Sequence, residues 1–574
     1  MKITQSKVWM KYYEKENWDI LLPECTAYAY LRATNKHRMH RTAIHYYGKD
    51  ITFRELFAMI DSAAGAFTAL GVKRGDMVSF LSVATPETIA SLYALNKMGA
   101  TVNTIDPRMD VESIKRMIKS SGSKILLTID VAFPKVKKII DDIDQDKIVV
   151  VSPATSLPFI KKVAMKMASK TKIEYTNKIL AWNTFIENGR NTIAEEAPYV
   201  GDAVVAITYT GGTTGFPKGV MLTNDSMNAV VINFMYCGLE YSHGDRFLGI
   251  IPIFSSYGMV CGMHMPLCLS MELVPIPKFV PAMIGKLVKQ FHPQHMVSTP
   301  AFYEILMNSK EVKGRDLSFL ITLGSGGDTM NGGLEEKLSQ FMTEHNIKYP
   351  LAQGYGMSEL SAAASFCVNK IYKPGSVGIP SLTTTVSIFD PETGEELGYN
   401  EEGEICVTGP SMMKGYFNAP EETANVMRLH DDGKVWIHSG DVGFIDSDGF
   451  LFIKGRIKRM ITRFDGHKVF PVNLEASVSK RPDVRNCAVI GIRDMERSQG
   501  HYPMVLVEFA EGVDTDTACR EIYKFCDETV EERGKPVAVI AVDEIPLTGM
   551  GKNDYRALES EYVNYDYLTW QANA

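Results

Sequence analysis

The sequence has no Cys-x-x-Cys pair. Its nine cysteines are scattered through 574 residues. That leaves neither zinc-ligand spacing nor a disulfide framework, and fits a reducing, cytoplasmic setting. No apolar run has membrane-spanning length either. The most apolar long window, residues 259–276, is broken by His264, Pro266, Ser270, Glu272 and Pro275, which makes it a poor transmembrane span. Residues 1–18 are polar, charged and aromatic, so no secretory leader is legible. Positive charge is in deficit, with 61 Lys and Arg against 68 Asp and Glu and a net charge of -7; this argues against a general nucleic-acid binder. Internal repeats and low-complexity tracts are also missing. What is present is an ordinary soluble balance, 45% hydrophobic and 22% charged, in a chain too long for one core.

Residues 51–71 carry Leu56, Ile60, Ala63, Ala64 and Phe67 at helical spacing. A strand-like run follows at 77–83, a second helix at 86–98 closed by Gly99, and a short strand at 102–104. Helix and strand alternate through Val151, which predicts a doubly wound, largely parallel sheet. Residues 156–173 differ: Lys161, Lys162, Lys166, Lys170 and Lys172 interleave with apolar residues. Such a helix can touch an anionic membrane surface. The plainer reading, a solvated helix with a basic outer face, is preferred.

Residues 208–222 read T-Y-T-G-G-T-T-G-F-P-K-G-V-M-L after an apolar, strand-like run. Glycines let backbone N–H groups approach a ligand, and consecutive N–H groups make an anion nest. Thr hydroxyls add donors and Lys218 adds a mobile charge. The set suits a polyphosphate, though it does not fit the Walker pattern. A flexible Gly/Thr surface loop is the alternative.

The string Tyr209-Thr210-Gly211-Gly212-Thr213-Thr214-Gly215, with Pro217-Lys218-Gly219, resembles the phosphate-binding signature of the AMP-forming adenylating superfamily. That group includes acyl-CoA synthetases, stand-alone adenylation domains and luciferases. Further signatures follow in the family's order. Residues 351–359, L-A-Q-G-Y-G-M-S-E, resemble its Y-G-x-T-E core. The resemblance implies that Gln353, Gly354, Tyr355, Gly356 and Ser358 border the nucleotide, with Tyr355 on the adenine face. Glu359 would be the Mg²⁺ ligand, as a hard oxygen donor suits that ion. Gly326 and Gly327, in a turn after a strand, would let a flat base or an acyl chain pass. Asp441, in W-I-H-S-G-D, would take the ribose hydroxyls, and Arg456 would meet the nucleotide.

The resemblance also implies two domains. Residues 1–455 would form a large α/β domain of mixed and parallel sheets flanked by helices, with a β-barrel-like part. Residues 456–574 would form a small, mobile α+β lid turning about Lys458. Gly466, His467 and Lys468 would form the loop near the thiol. Lys552, in P-L-T-G-M-G-K, would be the catalytic lysine, with Lys218 and Glu359 beside it.

The segment P-I-F-S-S-Y-G would line the acid pocket through Phe254, Ser255, Tyr257 and Gly258, together with Met357. It offers no Asp to meet a substrate ammonium, so an amino acid is disfavoured. Four positions depart from the family pattern: Ser255, where His or another aromatic is common; Ser358 for Thr; Arg459, where an acid is common; and Met550 for Ser. The expected activity is conversion of a carboxylic acid, first of all a medium- or long-chain fatty acid, to acyl-AMP and then to a thioester. ATP, Mg²⁺ and CoA are its expected cofactors. The alternatives are a ligase loading a carrier-protein phosphopantetheine, and a non-catalytic acyl or nucleotide sensor. Nothing requires oxygen chemistry, and the oligomeric state is not legible.

Overall fold

A computed structural model describes residues 2–158, 161, 172–210, 217–330, 332–465, 467–497, 499–546 and 553–573. Local chemistry sets the first elements. Thr52 accepts the Glu55 N–H at the start of the Phe53–Ala69 helix, and the Glu55 side chain returns a bond to the Thr52 backbone, which satisfies two donors that a helix start otherwise leaves free. The Pro86–Met98 helix begins on a Thr85 cap with proline in its first turn and stops at Gly99, φ 72°, the arrangement expected of helix ends. Both helices stand where hydrophobic spacing places them.

The strands form two large mixed sheets, and the alternating strands from Met77 through Val151 all lie in the first of them. In the first, Met77–Leu81, Thr101–Thr104, Ile125–Ile129, Lys147–Val151, Ile179–Ala181 and Val204–Tyr209 run parallel, and Gly219–Thr223 adds an antiparallel edge. The second has a parallel centre, from Thr42–Tyr46 through Glu272–Pro275, Arg246–Gly249, His295–Ser298 and Thr322–Ser325 to Ala352–Tyr355. Its two ends are antiparallel. Val102 of the first sheet and Leu273 of the second belong to one apolar core, so helices between the sheets are buried on more than one face.

A five-stranded antiparallel sheet follows, built from Thr385–Phe389, Gly403–Thr408, Met427–Leu429, Val435–Ile445 and Leu451–Arg456. This is the barrel-like part, and it stays an open sheet: no closed barrel forms among the described residues.

The smaller C-terminal domain has its own sheet, Val484–Arg493, His501–Phe509 and Ala538–Ala541. Side chains alternate across it. Val489 and Val505 pack with Ile522 on one face, Ile490 and Leu506 with Leu558 on the other. The buried members of these two clusters begin at Ile461.

All nine cysteines are free. Among the described residues no helix is long and apolar enough to cross a membrane. Most of the basic 156–173 segment lies outside the described residues; Lys161 donates to the Tyr47 carbonyl at 2.6 Å.

Candidate active site

The Gly/Thr loop is carried by the Val204–Tyr209 and Gly219–Thr223 hairpin. Its last described rung is Thr210 N–H to the Lys218 carbonyl, 3.0 Å. Gly211, Gly212, Thr213, Thr214 and Gly215 lie outside the described residues. At the loop's base the Thr208 hydroxyl is buried without a partner. A buried polar atom is normally paired, so an orphan here marks a place where a ligand would complete the site.

The second edge of Gly219–Thr223 is covered by residues 414–417. Phe417 N–H donates to the Gly219 carbonyl (2.7 Å) and Met221 N–H to the Gly415 carbonyl (3.1 Å). This clip places the Tyr416 ring under Lys218, whose Nζ lies 4.9 Å from the ring centroid. The Tyr416 hydroxyl donates to Glu359 Oε1. Lys218, Tyr416 and Glu359 thus form one chain of contacts. Residues 415–418 read G-Y-F-N, and nothing local there says which strand edge Tyr416 covers. Burial, then the Glu359 charge, pushes the Tyr416 phenol up.

Glu359 is 7% exposed and sits in a single 3₁₀ turn, Ser358–Leu360. The turn is forced by the backbone around it. A Cβ on Gly356 would stand 1.7 Å from the Ala362 carbonyl oxygen, and Ala362 itself has φ 110°. A non-glycine residue in that region stores strain of about 1–3 kcal/mol. Ser358 accepts from the Ser256 hydroxyl at 2.9 Å. One buried carboxylate beside hydroxyl oxygens suits Mg²⁺, which takes one or two carboxylates and fills its shell with phosphates and water.

Asp441 anchors a second group. Its carboxylate accepts from the Tyr355 hydroxyl (2.7 Å) and pairs with Arg456 Nε (2.9 Å). Arg456 stands opposite Asp441 across neighbouring strands, and that charge raises its pKa further. Burial, then Asp441, holds the Tyr355 phenol well above its ordinary range. Close by in sequence, the buried Gln353 Nε2 has no partner, a donor free for a ligand.

In the acid-pocket segment the chain forms a π-helical stretch, Tyr257–His264, a form that clusters at functional sites and that periodicity did not reveal. Tyr257 is half-buried, with its hydroxyl 3.4 Å from the Ser298 carbonyl. A Cβ on Gly326 would meet that hydroxyl at 3.4 Å, and one on Gly327 would meet the ring at 3.9 Å. Tyr257 therefore walls the glycine turn on one side. Ser255 is occupied with its own turn: its hydroxyl donates to the Pro252 carbonyl and accepts the Gly258 N–H. Gly258 is a packing glycine, since a Cβ there would reach the Pro252 oxygen at 2.0 Å. Phe254 lies under the Arg108 guanidinium, 5.2 Å away, and Arg108 is itself paired with Asp106. Met357 precedes the Glu359 turn and is partly buried against the main core.

Lys458 lies in the 3₁₀ turn Ile457–Arg459 between the domains. Its neighbour Arg459 has a structural account. The guanidinium stacks 3.4 Å over the Tyr555 ring and pairs with Glu475 at 2.7 Å, which ties the turn to the C-terminal domain. Lys468 pairs with Glu392 of the large domain at 2.8 Å, and His467 N–H donates to Asp465. Gly466, Met550 and Lys552 lie outside the described residues. The structure thus brings together Lys218, Glu359, Ser358, Tyr355, Asp441 and Arg456.

Residues 31–417 match the family described as AMP-binding enzyme, and residues 473–552 match its C-terminal domain. The chain is 30% identical over 571 residues to a long-chain-fatty-acid–CoA ligase of Bacillus subtilis (strain 168), covering 97% of this chain and 99% of the relative. It is 29% identical over 502 residues to 4-coumarate–CoA ligase 1 of Oryza sativa subsp. japonica, covering 84% and 82%. The fold also resembles the crystal structure of an anthranilate CoA ligase in complex with anthranoyl-AMP, with TM-score 0.80 at 21% identity, covering 97% and 99% of the two chains. This chain belongs to the AMP-binding enzyme family of AMP-forming acid ligases, which work with ATP, Mg²⁺ and CoA.

Proposed function

We propose that this ligase converts a medium- or long-chain fatty acid to its CoA thioester through an acyl-adenylate. In the first half-reaction an acid carboxylate oxygen attacks the α-phosphorus of ATP, the bond to the β-phosphate oxygen breaks, and pyrophosphate leaves. No protein nucleophile is needed, so positioning and charge carry the rate. Lys218 and the Gly/Thr loop hold the outer phosphates. Glu359 would hold Mg²⁺, which when bound would neutralise charge on the phosphates. Asp441 accepts the ribose hydroxyls, Tyr355 faces adenine, and Arg456 pairs with Asp441. Lys552 bridges the carboxylate and the α-phosphate.

In the second half-reaction the CoA sulfur bonds to the acyl carbonyl carbon and AMP departs with the former carboxylate oxygen. The C-terminal domain turns about Lys458, so that the loop at Gly466, His467 and Lys468 replaces Lys552. Lys458→Pro is expected to slow thioester formation more than pyrophosphate release, because proline locks the φ that the rotation must change. Equal slowing of both steps would remove the hinge role.

The observation that carries the substrate class is the wall made by Tyr257 beside Gly326 and Gly327. The ring offers apolar surface and itself carries no charge to pair with an ammonium, which favours an acid without one. The fatty-acid ligase among the relatives supports the same class. The coumarate ligase supports an aryl acid as the second reading. A panel of fatty, aryl and amino acids, read by pyrophosphate release, tests both. The expected order is fatty acid first and amino acids last; a preference for an aryl acid of coumarate size would overturn the first reading. Competition between CoA and a carrier-protein phosphopantetheine identifies the acceptor.

A further inference from the structure

We propose that Glu404 is a positioning residue for the nucleotide: it pins the bulge that aims Asp441 at the ribose. The inference rests on the ribose role of Asp441 proposed above. The Gly403–Thr408 and Val435–Ile445 strands pair at Cys406 with His438 and again at Glu404 with Val442. One strand advances by two residues over this step and the other by four. Ser439, Gly440 and Asp441 are therefore a bulge, and Gly440 takes φ 70°. Bulges of this kind re-aim side chains beside active sites.

A bulge loses ladder hydrogen bonds, and side chains replace them here. Ser439 Oγ donates to the Ile405 carbonyl (2.6 Å) and accepts the Asp441 N–H (3.0 Å). Glu404 Oε1 accepts the Gly440 N–H at 3.0 Å. Glu404 Oε2 accepts from His438 Nδ1 at 2.7 Å, and His438 Nε2 lies 2.9 Å from His430 Nε2. A carboxylate only accepts, so His438 carries a proton on Nδ1, and a neutral His438 then accepts at Nε2 from His430. Glu404 is 7% exposed, which makes both of its bonds expensive to leave unmade. Asp441 is thus held from two sides: Tyr355 and Arg456 grip its carboxylate, and Glu404 closes the backbone that delivers it.

Cys406 Sγ is 3.5 Å from His438 Nδ1, and Glu404, Cys406 and His438 offer donor atoms within 4.8 Å of one another. The same three residues could hold a thiophilic cation. The hydrogen-bonded strut is the better reading, since both Glu404 oxygens are already engaged and the buried thiol must ionise to bind metal.

The test compares ATP with 2′,3′-dideoxyATP, which lacks both ribose hydroxyls. For Glu404→Ala the KM for ATP is expected to rise about 10- to 100-fold with a much smaller change in kcat, since a hydrogen bond to a charged group has that worth. With 2′,3′-dideoxyATP the variant is expected to match wild type. Glu404→Gln should recover most of the ATP affinity. Its amide oxygen accepts the Gly440 N–H, and its amide N–H can serve a His438 whose proton has moved to Nε2. If Glu404→Ala folds poorly, His438→Asn removes the other half of the strut and should show the same hydroxyl-dependent pattern, with a smaller rise. An equal loss with both nucleotides would overturn the positioning role alone. Wild-type enzyme that does not distinguish the two nucleotides would overturn the Asp441 role and this one with it. One equivalent of zinc retained by wild-type protein through EDTA dialysis, and lost in Glu404→Ala, would replace the strut with a metal site.

Discussion

Lys552→Ala is expected to cut pyrophosphate release by about 10²- to 10³-fold, the size of losing one group aimed at developing charge, while thioester formation from supplied acyl-adenylate stays at the wild-type rate. The asymmetry follows from where charge moves. In the first half-reaction the acid oxygen and the α-phosphate oxygens share negative charge only near the transition state, and a lysine is a compact charge that can meet both. In the second, a thiol attacks a carbonyl that is already activated, and in the proposed cycle the lid has turned. Lys552 lies outside the described residues, but the chain that brackets it is tied down: Asp554 N–H donates to the Pro546 carbonyl at 2.7 Å. Wild-type pyrophosphate release by the variant would remove the role assigned to this lysine, and so would an equal loss in both half-reactions.

Glu359→Gln is expected to lower kcat/KM for pyrophosphate release by about 100-fold, which corresponds to about 2.7 kcal/mol of lost transition-state stabilisation. The Mg²⁺ concentration needed for half-maximal rate should rise in step. The substitution is close to isosteric, and the amide oxygen still accepts from Tyr416, so the turn at residues 358–360 should survive. What disappears is the negative charge. A structural role predicts a lower melting temperature with unchanged Mg²⁺ dependence. A charge role predicts the reverse, and nucleotide-induced thermal shifts with and without Mg²⁺ separate the two without relying on turnover. An unaltered Mg²⁺ requirement would show that the ion is held elsewhere.

Arg459 illustrates how a departure from the family pattern can be read only in three dimensions. In the sequence it was an unexplained cation beside the hinge. In the fold it bridges Glu475 and the Tyr555 ring, two residues from different parts of the C-terminal domain. Ser255 is a second case. It stands where His or another aromatic is common, and its hydroxyl is engaged with the backbone of its own turn.

The sequence by itself determined the helix at Phe53–Ala69, the helix at Pro86–Met98, the Gly/Thr loop as a phosphate candidate and the order of the signatures. These depend on local requirements: a cap three residues from its partner, a glycine where a helix stops, and runs of apolar spacing. Only the tertiary structure decided which strands join each of the two large sheets, that the barrel-like part stays open, and that a π-helical stretch lies beside the glycine turn. It alone placed Tyr416 between Lys218 and Glu359, and Glu404 beneath the Asp441 bulge. The physical reason is distance along the chain. Tyr416 and Glu359 are 57 residues apart, Tyr355 and Asp441 86, and Glu404 and Gly440 36. Such contacts form when strands choose their neighbours and register, and that choice is made by burial across the whole core rather than by any one segment.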